Sequence, residues 1–396
     1  MEGKQVLNTL AWKKMGRGLL KTFTSLQLTV ICLSVSMVLV FLSTLAQTKW
    51  GIYEAQARYF STWFVWFPVG QTGISLPLLP GGYLVGGVLI LNLLAAHTKR
   101  FRLGWNKVGL FLVHIGILIV LLGGFVTHWF AHEGQLRFDE GQTKHFYESF
   151  LGRELVVTEN LPGDRVRETV FPASMLRKGT ILNHPNLPFD LSIEEFFKNT
   201  RLTLRRGMGG GEAGPVDRGW GQRIRAESIR QTFKMNEQNL LTAYMNVMYN
   251  EESIGTWMVT NAVPDPQHFQ VEERGFSFAL RRTRYYMPFS LTLNDFTHDR
   301  YPGTNIPKNF SSLVEIGHPE YHTEREALIY MNNPLRYRGK TFFQQGFDND
   351  DTTSILQVVQ NPGWLLPYVS CTLVGLGLFW HFTLHLLRYF KKRRAA

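Results

Sequence analysis

Histidines inside apolar runs are the residues of this chain with the clearest chemical potential. Ionisable groups within a bilayer span are functional candidates by default, and neutral imidazole is a good axial ligand for haem iron. His114 stands six residues into the run Val108–Phe130, roughly 9 Å from its near end on a helix. His128 and His132 stand at the far end of the same run. At about 100° per residue His132 returns to the azimuth of His114, with His128 about 40° away, so a single helix would carry histidines about 27 Å apart on one face. His381 and His385 form an i, i+4 pair in a second run, with His381 at about the depth of His114. Each ring has two readings, iron ligand or hydrogen bond between helices. His97, at the end of another run, reads as interfacial, and His318 and His322 as surface residues near a turn.

These rings must be carried by spans. A bilayer crossing takes about 20 apolar residues, and in lipid the backbone must satisfy its own hydrogen bonds, which favours helices. Four runs qualify: Leu26–Ala46, the marginal Gly81–Ala96 with Leu76–Leu79 as a possible extension, Val108–Phe130 and Leu365–Leu387. Gly109, Gly116 and Gly123 recur every seven residues on a face nearly opposite His114, where small residues let another helix approach closely. A cleaved signal peptide is the alternative for the first run, but its length exceeds the usual 7–15 apolar residues.

The net charge of +11 follows from topology. Fourteen basic residues cluster at three places: Lys4–Lys21 before the first run, Lys99–Lys107 between the second and third, and Arg388–Arg394 after the fourth. By the excess of Lys and Arg on cytoplasmic loops, both termini are expected in the cytoplasm and 131–363 outside. The remainder of the chain is slightly acidic, which argues against a nucleic-acid partner. Two distant cysteines, Cys32 and Cys371, exclude a CxxC thiol oxidoreductase, a zinc ribbon and a covalent cytochrome c.

The expected class is therefore an α+β membrane protein. A basic segment 1–25 precedes three helices within 26–130, which include an outer aromatic loop 47–80. A large, mainly β extracytoplasmic domain, 131–363, separates these from a fourth helix and basic tail, 364–396. The loop, with Trp50, Trp63 and Trp66, reads either as an interfacial helix or as an aromatic wall for a flat ligand. Period-two alternation marks Glu154–Thr158, Phe276–Arg282, Ser290–Leu293, Ala327–Tyr330 and Ser354–Val359 as strands. Arg206–Gly221 reads as a glycine-rich loop. The segments Pro188–Phe196 and Pro288–Phe296 share PFxLx[IL]xxF, which suggests two related lobes.

The motifs in order resemble one family. Val113-His114-Ile115-Gly116 followed by Leu122-Gly123-Gly124, then Gly134-Gln135-Leu136, Asn333-Pro334-Leu335-Arg336-Tyr337-Arg338-Gly339-Lys340, Phe342-Phe343-Gln344-Gln345-Gly346 and Gln360-Asn361-Pro362-Gly363 resemble the ResB (CcsB) family of system II cytochrome c biogenesis. Ser43–Gln47, Tyr59–Phe64 and Leu91–Leu94 are weaker matches, and the middle of the chain from about 165 to 273 matches poorly. The resemblance implies a subunit that binds non-covalent haem b and delivers it across the membrane to apocytochrome c, together with a CcsA/ResC-type membrane partner. It places the family's haem-binding span histidine on His114, with the second ligand from the partner or from His381; His128 and His132 remain further candidates. The tryptophan-rich WGxxWxWD motif of the partner is absent, so the chain alone is not expected to be a complete synthase, and no catalytic residue is nominated. The competing reading is a membrane-anchored β scaffold without cofactor. A transporter fits less well, since no paired broken helices stand out. The expected location is the cell inner (plasma) membrane.

Overall fold

The computed structural model describes residues 18, 21–68, 70, 74–100, 104–163, 165–204, 216–232, 237–263, 265–318, 325–348 and 351–395. Lys4, Lys13, Lys14, Arg17, Arg102, most of the glycine-rich segment and His322 lie outside them. The described residues form two compact units. One comprises the helices up to Ala131 and from Asn361 onward; the other is His132–Thr232 with Glu237–Gln360.

The helical unit contains α1 (Leu26–Trp50), α2 (Ile52–Tyr59), the hairpin of β1 (Phe64–Pro68) and β2 (Ser75–Pro80), α3 (Gly82–Arg100), α4 (Val108–Phe130) and α5 (Leu366–Ala395). Three of these, α1, α4 and α5, are long and apolar enough to cross a membrane. The second expected span is a shorter apolar helix, Gly82–Thr98. Leu76–Leu79 do not extend it. They belong to β2, because Pro77 and Pro80 disfavour helix and Gly81 and Gly82 turn the chain sharply. A Cβ on Gly82 would lie 2.5 Å from the Phe60 carbonyl oxygen. The aromatic loop is thus a short helix and a hairpin, with the Arg58 guanidinium 4.2 Å over the Trp50 ring.

The glycine stripe of α4 packs on α5. A Cβ on Gly109 would stand 2.5 Å from the Gly377 carbonyl oxygen, and one on Gly116 would stand 2.6 Å from Val374 Cγ2. Ser370 Oγ donates to the Gly116 carbonyl at 2.7 Å. The helices meet backbone to backbone, as glycine allows in a bilayer.

The second unit is β throughout. Its strands are β3 (His132–Asp139), β4 (Thr143–Leu161), β5 (Arg165–Pro172), β6 (Ile181–Leu182), β7 (Asp190–Phe197), β8 (Thr200–Leu204), β9 (Ile224–Ser228), β10 (Thr242–Tyr249) and β11 (Glu252–Thr260). Then follow β12 (Gln267–Val271), β13 (Arg274–Arg300), β14 (Pro307–Gly317), β15 (Arg325–Tyr330), β16 (Leu335–Tyr337), β17 (Lys340–Phe347) and β18 (Thr353–Gln360). Every stretch expected as strand from alternation is strand. The main sheet runs β15-β14-β13-β4-β3-β18-β17-β16, and β15 returns against β17, giving a nearly closed barrel. A four-stranded sheet, β11-β10-β7-β6, forms a second layer.

The long antiparallel ribbon of β4 and β13 serves two cores. Leu155, Val157, Phe276 and Phe278 pack with Leu191, Ile193 and Met245 of the smaller sheet. Further along, Tyr147, Leu291 and Leu293 pack with Leu136, Val314 and Leu356 inside the barrel. The two PFxLx[IL]xxF segments fall one in each core: Phe189, Leu191 and Ile193 are buried in the first, and Phe289, Leu291 and Leu293 in the second. Burial at alternate positions is what period-two sequence demands of a half-covered strand.

On the ribbon's outer side Arg281 bridges two acids. Its Nε donates to Glu154 at 2.9 Å, and Nη1 and Nη2 donate to the two Glu168 oxygens at 2.6 Å each. Burial alone would lower the guanidinium, but Glu168 and Glu154 more than offset this and hold it above its usual value. The hydrogen bonds from Arg281 in turn hold Glu168 below the ordinary glutamate value of 4.5. A carboxylate with a depressed folded pKa stabilises the fold above its unfolded pKa and loses that contribution as pH falls through the folded one. The β unit is therefore expected to lose stability as pH drops below about 4.5, and Glu168→Gln should flatten this acid limb in thermal melts at pH 3 to 6. Arg281→Ala should cost about 3 kcal/mol, because it leaves the nearly buried Glu154 unpaired.

Candidate functional site

The strongest candidate lies where α3 and α4 meet. α3 is held at its middle by Asn92, which is buried. The Asn92 side chain accepts from Thr29 Oγ1 at 2.6 Å and donates to the Phe23 and Ser25 carbonyls at 2.7 and 3.1 Å. One and a half turns later His97 faces α4. Its ring lies 5.1 Å from that of His114, edge to face at 67°, with Phe111 beside it at 5.9 Å.

Both imidazoles are pinned in the same way. His97 Nδ1 is 2.9 Å from the Leu93 carbonyl oxygen, and His114 Nδ1 is 2.7 Å from that of Leu110. A carbonyl only accepts, so each Nδ1 carries the proton and donates it. The lone pair of His114 is thereby placed on Nε2. Fixing one nitrogen by a backbone carbonyl to present the other is the usual support of a metal-ligating histidine. Among the described residues no three His, Cys, Asp or Glu side chains converge into a metal cage.

The remaining sequence candidates are separate from this pair. His128 lies on α4, but its Nε2 meets the Tyr83 hydroxyl at 2.6 Å, and Trp63 stacks edge-on against Tyr83 at 6.1 Å. His132 is not on the helix. α4 ends at Phe130, Ala131 adopts extended geometry, and His132 opens β3 with its ring 5.7 Å from Tyr285. The shared azimuth expected of His114 and His132 therefore does not exist. His381 and His385 stack on each other at 4.5 Å, and the Gly109 face of α4 rests on the His381 backbone. His318 is buried rather than on the surface. The partner that sequence reasoning missed is His97. No local feature marked it: His97 meets His114 only because α3 folds back on α4.

The helical unit thus carries three helices long and apolar enough to cross a membrane together with a pair of neighbouring imidazoles, and the other unit is a nearly closed β-barrel. Residues 254–355 match the model of the ResB-like family. It is also similar to Protein NrfI of Wolinella succinogenes, with 27% identity over 304 residues, covering 74% of this chain and 29% of that protein. The chain thus spans under a third of the length of that relative.

Proposed function

We propose that the protein is a haem-handling subunit of cytochrome c biogenesis. It would bind haem b non-covalently on the His114–His97 pair and pass it across the membrane for attachment to apocytochrome c, with a CcsA/ResC-type partner. The observation that carries this reading is the meeting of two backbone-pinned imidazoles between apolar helices, and the ResB-like match is consistent with it. Haem is cargo here, and its vinyl groups supply the chemistry of attachment. The rings of His97 and His114 touch, so ligation of one iron by both would part α3 from α4 at that end. His381, His128 and His132 remain alternative ligands, and of these His128 must first give up Tyr83.

In this reading α3 also spans the bilayer, so that four spans put both termini in the cytoplasm of a bacterial inner membrane and 131–363 outside it. The two cores of that domain would be related lobes. The test is purification with the membrane partner, followed by an absorption spectrum and haem quantitation. Roughly one haem per complex is expected. A complex that never carries haem leaves the alternative, a membrane-anchored scaffold, in its place.

A further inference from the structure

A cleft of ≈ 580 Å³ lies on the β unit between β12 and the short 3-10 turn Gly219–Gln222. It is built rather than incidental. Gly219 adopts φ 62, and a side chain there would collide with Gln267. The buried Gln267 then ties the two walls together: its Oε1 accepts from the Trp220 amide at 3.1 Å, and its Nε2 donates to the Met258 carbonyl at 2.7 Å.

The floor of this cleft is a sheet edge. β12 pairs with β13 on one side only, and among the described residues no strand covers its other side. Val271 and Arg274 close a two-residue loop in which Glu272 and Glu273 have φ 52 and 65, the left-handed geometry of a tight hairpin. In such a hairpin the flanking pair is hydrogen-bonded and alternate pairs are not. Val271, Phe269 and Gln267 therefore spend their backbone groups on β13, while those of His268 and Gln270 point to the open edge. The rim is cationic and aromatic. Arg218, Arg223 and Trp220 are exposed along it, and among the described residues neither arginine has a carboxylate partner.

We propose that this cleft receives an extended, acidic segment of a partner polypeptide. The segment adds as a strand to the outer edge of β12, sets carboxylates against Arg218 and Arg223, and covers its apolar side chains with Trp220. Main-chain hydrogen bonds supply affinity in this mode, and flanking side chains supply selectivity. The open amides at His268 and Gln270 favour a peptide over a small anion, because a carboxylate alone would satisfy the arginines and leave the edge unpaired.

The test uses the full chain in detergent micelles and a fluorescently labelled eight-residue peptide of alternating Glu and Val, followed by anisotropy. Saturable binding is expected, weakening with added salt. The double variant Arg218→Gln, Arg223→Gln and a Lys-for-Glu peptide should each bind at least about tenfold more weakly. A peptide N-methylated at alternate amides along the edge facing β12 should lose binding without any change to the protein. Equal binding of the Lys peptide, or of both N-methylated registers, overturns the proposal. So does displacement by inorganic phosphate at the same concentration as by peptide.

Discussion

Alanine at position 114 is expected to strip haem from the purified complex, with the haem content falling about tenfold or more. Loss of a residue that merely supports a metal ligand already costs 10–100-fold in affinity, and His114 is argued to be the ligand itself. The fold should tolerate the change. The ring is only half-buried, and its hydrogen bond goes to the carbonyl of its own helix at Leu110, which keeps its helical acceptor role when the side chain is removed. Thermal stability in detergent should therefore stay near that of the parent while the Soret band disappears.

Two further measurements separate a ligand from a packing residue. Imidazole added to His114→Gly should restore the band, since it can occupy the vacated ligand position. His97→Ala should leave more haem than His114→Ala but move the iron from low to high spin if both rings ligate. Full haem occupancy in His114→Ala would show that the ring serves only to pack α3 against α4.

The long apolar helices were legible because hydropathy integrates over a whole helix. The run Val108–Phe130 has no charge inside it, and α4 has those same bounds. α3 was harder, since its apolar run is short and the leucines upstream of it are taken by a proline-bounded strand. Alternation found strands in both cores, because one face of each is buried. It could not find their order. The pairing of β10 with β7, or of β18 with β3, joins segments far apart in sequence that carry no local mark of each other. The same limit explains the histidines. His114 was visible from its own apolar surroundings, whereas His97 acquires meaning only when α3 is folded back on α4. His132 was misplaced by two residues, since nothing in Trp129-Phe130-Ala131-His132 requires a helix to stop; the extended backbone at Ala131 hands the chain to β3.

The glycine stripe carries the largest expected effect on stability. At Gly116 a Cβ would lie 2.6 Å from Val374 Cγ2 and 2.9 Å from the Ser370 carbonyl oxygen. The valine methyl can rotate away, but the carbonyl belongs to the backbone of α5 and cannot. Gly116→Leu must push the helices apart, which also breaks the hydrogen bond from Ser370 Oγ. Overpacking costs about 1–3 kcal/mol, and an interhelical hydrogen bond in a membrane adds roughly 0.6, so a loss of about 2–4 kcal/mol is expected. Gly124→Leu is the internal control: it lies on the same helix, eight residues on, and a Cβ there meets nothing within 4 Å. Unfolding in mixed micelles with rising SDS should show Gly116→Leu shifted to much lower SDS and Gly124→Leu close to the parent. Haem retention gives a second reading. His114 is two residues from Gly116, about 200° around the helix, so the substitution disturbs α4 on α5 while leaving the ligand in place. If Gly116→Leu unfolds like the parent, α4 and α5 do not meet through their backbones.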